Sequence, residues 1–308
     1  MKKHINLILC LFLLTVSCGE NNRVNGQDET LQPLNKQIPH NNYFEFLSDI
    51  QLPEKLSFCG EEAPLEIPEV RERAERELYL LLQYPGQIIL YLKRAGRYFP
   101  MFERIIKENN MPDDLKYLAV AESALYMARS SKNALGLWQF MKGTGRMMGL
   151  IINNYVDERC HPERSTYAAM KYLKQGYQNN GSWTLAAAGY NMGHTRVGQR
   201  LSHQSGDDYF DLFLNEETSR FVFRILIIKE IMQNSDKYGI KLSGEQTYKP
   251  YNADVIKIDY GIRDLADWAK ERGYTYKELR LMNPWIINRR IPSPPRGKYY
   301  EMKVPRKD

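Results

Sequence analysis

From about residue 68 to residue 235, apolar positions recur at helical rather than strand spacing. Pro68 and Glu69 open one such segment, and its charges at i, i+4 spacing mark an exposed face. Pro85-Gly86 interrupts it. Residues 87–98 predict a second helix ending near Phe99-Pro100, and residues 101–108 a third, closed by Asn109-Asn110. Pro112-Asp113-Asp114 opens a fourth. Further helices are expected at 162–177, 182–190 and 219–234. The last carries an apolar run, 221–228, broken only by Arg224, and its length and flanks favour a buried helix over a strand. Strand-like alternation is nearly absent before residue 250. Beyond a polar break at 242–252, residues 255–259 alternate as a strand. Residues 262–269 and 276–283 read as helices, and 299–305 as a closing strand. The fold class is therefore mainly α, with helices packed around a cleft and a separate β-α-α-β module at the C-terminus. No tandem repeat is visible.

One position breaks the pattern. Counting from Leu115, the i+3, i+4 and i+7 places are Leu118, Ala119 and Glu122, which puts a carboxylate on an apolar stripe. A carboxyl group held there loses water, its pKa rises, and it is prepared to act as a general acid. A structural Glu paired with a buried Arg is the alternative.

Composition narrows the setting. The 308 residues are 43% hydrophobic and 26% charged, as in ordinary globular proteins. The formal charge is +6, and without Lys2 and Lys3 it is 41 basic against 37 acidic groups, or +4. That mild excess suits an anionic polymer such as a cell-wall glycan. With no basic block interleaved with aromatics, it argues against nucleic acid. Met1-Lys2-Lys3-His4 precedes a twelve-residue apolar run, 5–16, too short to span a bilayer and expected of an export signal. Residues 19–45 are polar, rich in Asn and Gln, and read as a tether. Cys59 and Cys160 either pair in an oxidising envelope or remain separate thiols. No Cys/His cluster has metal-ligand spacing, so neither a metal nor a cofactor is expected.

Three clusters extend the observation at Glu122. Gly136-Leu137-Trp138-Gln139-Phe140 follows a polar loop, 129–133, and Tyr190-Asn191 closes a helix of small residues, Ala186 to Gly189. Between them lies a loop containing Asp157-Glu158-Arg159, whose acids are expected to cap a helix rather than react. Amides and hydroxyls such as those of Gln139, Tyr190 and Asn191 pair with N-acetyl and hydroxyl groups of sugars. In order, Glu122-Ser123, Gly136-Leu137-Trp138-Gln139 and Gly189-Tyr190-Asn191 resemble the three signature segments E-S, G-L-M-Q and A-Y-N. These belong to the soluble-type lytic transglycosylases of glycoside hydrolase family 23. Trp138 stands where that family has Met, and Gly189 where it has Ala. Asp157-Glu158-Arg159 and the tract 168–173 are similar to the membrane-bound D branch of the family. The resemblance covers about residues 70–235.

The resemblance implies a lysozyme-like α domain cleaving the β-1,4 bond between N-acetylmuramic acid and N-acetylglucosamine. Glu122 would be acid and then base, leaving a 1,6-anhydromuramyl end. Ser123, Gly136, Leu137, Gln139, Tyr190 and Asn191 would bind and orient substrate. No second carboxylate stands among the motifs, whereas ordinary glycosidases need one. Leu14-Thr15-Val16-Ser17-Cys18-Gly19 resembles a bacterial lipobox, with Thr15 where Leu is usual, which implies lipidation of Cys18. Plain secretion is the alternative. Residues 250–308 resemble a degenerate LysM domain, a peptidoglycan-binding unit, with Asp259 to Ile262 replacing its usual G-D-T-L opening. The expected order is a signal peptide, 1–17, a tether, 18–45, a transglycosylase domain, 46–242, and the module, 250–308. The transglycosylase domain comprises a helical part, about 68–110, and a catalytic core, about 111–235. Expected partners are peptidoglycan glycan strands and, through the lipid, the outer membrane facing the periplasm; the chain is expected to be a monomer. A goose-type lysozyme, which hydrolyses with water, and a non-catalytic wall-binding scaffold are the competing readings.

Overall fold

A computed structural model describes residues 40–307. The chain divides into two units, Met1–Phe44 and Glu45–Asp308, and the fold and site lie in the second. Cys18 and the signal peptide expected at 1–17 lie outside the described residues.

A first helix, α1 (His40–Asp49), precedes a minimal hairpin of β1 (Ser57–Phe58) and β2 (Glu61–Glu62). Helix α2 (Pro68–Leu82) begins at proline and buries Val70, Ala74 and Leu78 along one stripe. Helix α3 (Pro85–Glu108) continues without a break through Pro100, so the two helices expected at 87–98 and 101–108 are one. Pro100 removes one backbone donor, but it is exposed, whereas Phe102, Ile105 and Ile106 beyond it are almost fully buried and hold the last two turns in place. A 3-10 turn at Asp113–Leu115 leads into the short helix α4 (Lys116–Ser123). Helix α5 (Lys142–Met147), which the sequence pattern did not predict, follows the Gly136 loop.

Helix α6 (Pro162–Asn180) ends on Gly181 in left-handed backbone at φ 72°. Helix α7 (Trp183–Met192) starts at Ser182, whose hydroxyl accepts from the Leu185 amide. The Glu61 carboxylate accepts the Trp183 and Thr184 amides, tying the hairpin to this N-terminus. Helix α8 (His194–Gln204) was also missed; it follows α7 across Gly193 at φ 99°. Helix α9 (Glu216–Gln233) starts at Asn215 and runs through the core against α2, α3, α4 and α7. Its apolar run is helical, as expected: Phe221 to Phe223 and Ile225 to Ile228 are all buried, and Arg224 is the break in that run. No described helix is long and apolar enough to cross a membrane.

The C-terminal part pairs β3 (Ala253–Ile258) with β4 (Tyr300–Pro305), antiparallel from Ala253↔Pro305 to Ile258↔Tyr300. Between them lie α10 (Leu265–Glu271), capped by Asp264, and α11 (Tyr276–Met282), opened by a Thr275/Glu278 capping box. The β-α-α-β order is as expected; its separateness is not. Leu265, Trp268, Leu279, Trp285, Ile286, Met302 and Val304 share one apolar cluster with Leu135, Val156 and Cys160 of the helical body. Backbone bonds close the seam, from the Asp157 amide to the Trp285 carbonyl (2.8 Å) and from the Ile287 amide to the Tyr155 carbonyl (2.9 Å).

Candidate active site

The stripe read from sequence is the stripe that packs. Leu115, Leu118 and Ala119 are fully buried, and Glu122, one turn on, is half-buried. Helix α4 stops immediately after it because Ala124 and Leu125 both adopt left-handed backbone, at φ 54° and 55°. Of seven non-glycine residues with positive φ among the described residues, Ala124, Leu125, Asn133 and Gln139 fall in this one stretch. Strain is therefore concentrated where the chain turns around the carboxyl group.

Glu122 faces a cleft of about 430 Å³, whose walls include Ser130, Lys132, Gln139, Phe140, Tyr172, Tyr190, Asn191, Glu217 and Arg224. Desolvation pushes its pKa up to about 8; the Arg224 guanidinium opposes the rise, and the Glu217 carboxylate adds to it. A carboxyl group in that state is protonated at neutral pH and poised to donate. Burial also drives the Tyr190 phenol well above its usual pKa, with the Glu122 charge contributing, so Tyr190 stays a neutral donor. Its hydroxyl donates to the Trp138 carbonyl at 2.7 Å. The Gln139 side-chain amide donates to the carbonyls of Gly136 (2.7 Å) and Ala128 (3.0 Å), leaving its oxygen as an acceptor. Asn191 accepts from the Thr218 hydroxyl at 2.7 Å and points its amide at Glu217 (3.4 Å).

Gln139, Tyr190 and Asn191 thus converge on Glu122. Ser123, Gly136 and Leu137 do not reach the cleft surface; all three are buried behind it. The Ser123 hydroxyl bonds the Leu137 carbonyl at 2.7 Å, stitching α4 to the loop that presents Gln139. Leu137 is fully buried in the core. Gly136 sits at φ 89°, and a Cβ there would lie 1.9 Å from the Arg159 carbonyl oxygen. Trp138 is equally internal, with its indole donating to the Thr166 hydroxyl at 2.9 Å. Gly189 has a local cause: a Cβ would come within 2.2 Å of Nδ1 of His194, whose ring packs on Tyr172.

Asp157 and Glu158 take the expected structural parts. Asp157 accepts the Arg159 amide and pairs with its guanidinium, and Glu158 accepts the Ile151 amide at 2.7 Å. Cys59 and Cys160 are free thiols, and burial pushes the Cys160 pKa up to about 12. The expectation of a lone carboxylate needs correction. Glu217, on the first turn of α9, also lines the cleft, paired with Lys132 at 3.2 Å. It and Arg224 lie beyond the last recognised motif. The available signal was Arg224, the only charge inside the 221–228 apolar run, the same anomaly that marks Glu122.

Residues 99–213 match the Transglycosylase SLT domain, and residues 254–308 match the soluble lytic transglycosylase C-terminal LysM-like domain. The fold is accordingly a lysozyme-like α domain, matching the SLT model over residues 99–213, followed by a LysM-like one. Among individual proteins, the chain is 33% identical over 238 residues to the membrane-bound lytic murein transglycosylase D of Escherichia coli strain K12. The protein of the same description from Escherichia coli O6:H1 gives the same identity. Each match takes in 75% of this chain and 51% of the relative, so the chain spans about half the length of the curated relatives it matches.

Proposed function

We propose that this protein is a peptidoglycan lytic transglycosylase that cleaves the bond between N-acetylmuramic acid and N-acetylglucosamine without water. The observation that carries the reading is the placement of the Glu122 carboxyl in one cleft with Gln139, Tyr190 and Asn191, where desolvation raises its pKa to about 8. Glu122 donates its proton to the glycosidic oxygen as the bond to C1 breaks. The carboxylate then takes the proton of the muramyl C6 hydroxyl as that oxygen closes onto C1. One residue serves twice because the first step leaves it as the base the second step needs. Gln139 and Asn191 hold the sugar's polar groups, and Tyr190, whose one O–H is committed to the Trp138 carbonyl, offers its phenolic oxygen as an acceptor from the cleft wall. No resident cofactor or metal enters this scheme. Ser123, Gly136 and Leu137 serve substrate indirectly, by fixing the wall behind Gln139. Lipidation of Cys18 would hold the chain, a monomer in this reading, at the outer membrane facing periplasmic glycan strands, with the LysM-like part adding contact to the wall.

Glu217 favours a second reading. A carboxylate across the cleft could activate water, as in a goose-type lysozyme, and leave reducing muramic ends. Its bonds to Lys132 and Asn191 argue that it anchors the cleft wall instead. Digestion of purified sacculi with wild type and Glu122→Gln, followed by mass spectrometry, separates the cases. Anhydromuropeptides are expected from wild type and none from the variant. Ends heavier by one water would identify a hydrolase, and equal release by both proteins would remove Glu122 from the chemistry.

A further inference from the structure

The loop that presents Gln139 is not held by the helical body alone. Its two ends, the carbonyls of Asn133 and Phe140, both accept from one nitrogen of Arg159, at 2.9 and 3.1 Å. The rest of that guanidinium is gripped in a fork by Asp157, at 2.9 and 2.7 Å. Both residues are about 95% removed from solvent. Gly136, in the middle of the same loop, rests on the Arg159 backbone. The next links belong to the LysM-like part. The Asp157 amide donates to the Trp285 carbonyl, Val156 bridges to Ile286, and the Trp285 ring stacks on His161 with centroids 5.6 Å apart. Leu135, inside the Gln139 loop, is buried in the same cluster as Trp285 and Ile286.

We propose that Arg159 is a positioning residue for the active-site wall, and that docking of the C-terminal domain through Trp285 completes it. This rests on the lytic reading of the cleft and adds a role for the LysM-like part beyond wall attachment. Arg159 touches no substrate; it sets the span between Asn133 and Phe140, and so the reach of Gln139 toward Glu122. A lysine there keeps the charge but cannot fork onto Asp157 while bonding two carbonyls.

The test uses the full chain with Arg159→Lys and Trp285→Ala, assayed on sacculi and on a soluble glycan tetrasaccharide too short to bridge cleft and C-terminal domain. Thermal denaturation runs alongside. A misplaced wall should lower kcat on the tetrasaccharide by about 100-fold in a variant that still melts cooperatively. Pure loss of wall attachment would raise KM on sacculi and leave kcat on the tetrasaccharide unchanged, which overturns the proposal. Loss of activity only in proportion to the unfolded fraction overturns it too. If Trp285→Ala does not fold, the milder Ile286→Val, which loosens the same seam beside Val156, takes its place under the same two outcomes. A wild type that releases no glycan ends would instead sink the lytic reading, so the two failures are distinguishable.

Discussion

At the scale of single residues, Glu122 links activity to stability through one proton. Its folded pKa of about 8 lies above the 4.5 of an unperturbed glutamate, so between those values the folded chain holds a proton that the unfolded chain has released. Stability is therefore lost as pH rises from about 4.5 to about 8, and the loss is complete above that range. Glu122→Gln, which never ionises, should gain about 1–3 kcal/mol over wild type near pH 8, the roughly 4–5 kcal/mol of the full shift being reduced by the solvent that a half-buried carboxyl still meets, and nothing below about pH 4. Urea denaturation across this range checks it; parallel curves for the two proteins would show that the carboxyl group is not perturbed. In wild type, turnover should fall as pH passes about 8 and the acid is lost. Glu122 was readable from sequence because helical spacing alone places a charge on an apolar stripe. Ser123, Gly136 and Leu137 were readable as a motif but not by role. A motif records that a position is constrained, whereas whether the constraint is a sugar or the Arg159 carbonyl depends on a contact distant in sequence.

Among the elements, α3 shows where local rules yield. Proline ordinarily ends a helix, yet Pro100 lies inside one of 24 residues. The turns beyond it are held by Phe102, Ile105 and Ile106, so packing outweighs one missing bond and a ring clash. Pro100→Ala should restore the bond and, at this exposed site, stabilise the protein by about 1–2 kcal/mol. A melting temperature equal to or below that of wild type would show that the proline is accommodated without cost. Helices α2, α6, α7 and α9 were legible because a proline start (α2, α6) or a small polar cap (Ser182 for α7, Asn215 for α9) precedes an apolar run. Helix α5 was not, being six residues of Lys142 to Met147 with two glycines and one fully buried position. Helix α8 was hidden by abutting α7, with only Gly193 between them.

For the whole molecule, the seam between the SLT and LysM-like parts matters most. The polar break near residue 250 made the second part legible as a β-α-α-β unit. Nothing local announces that Leu135 and Val156 complete its core, because each reads as an ordinary apolar residue of its own loop. A shared core predicts shared melting: scanning calorimetry should give one cooperative transition for residues 45–308, and two well-separated transitions would show that the parts fold independently. The same seam bears on ancestry and engineering. Wall-binding domains are commonly imagined as cassettes, shuffled between catalytic partners by recombination. Here a crossover near residue 250 would split a shared core and take away the Trp285 carbonyl that the Asp157 amide bonds, behind the loop that carries Gln139. A chimera that moves the LysM-like part should therefore carry the 133–161 segment with it.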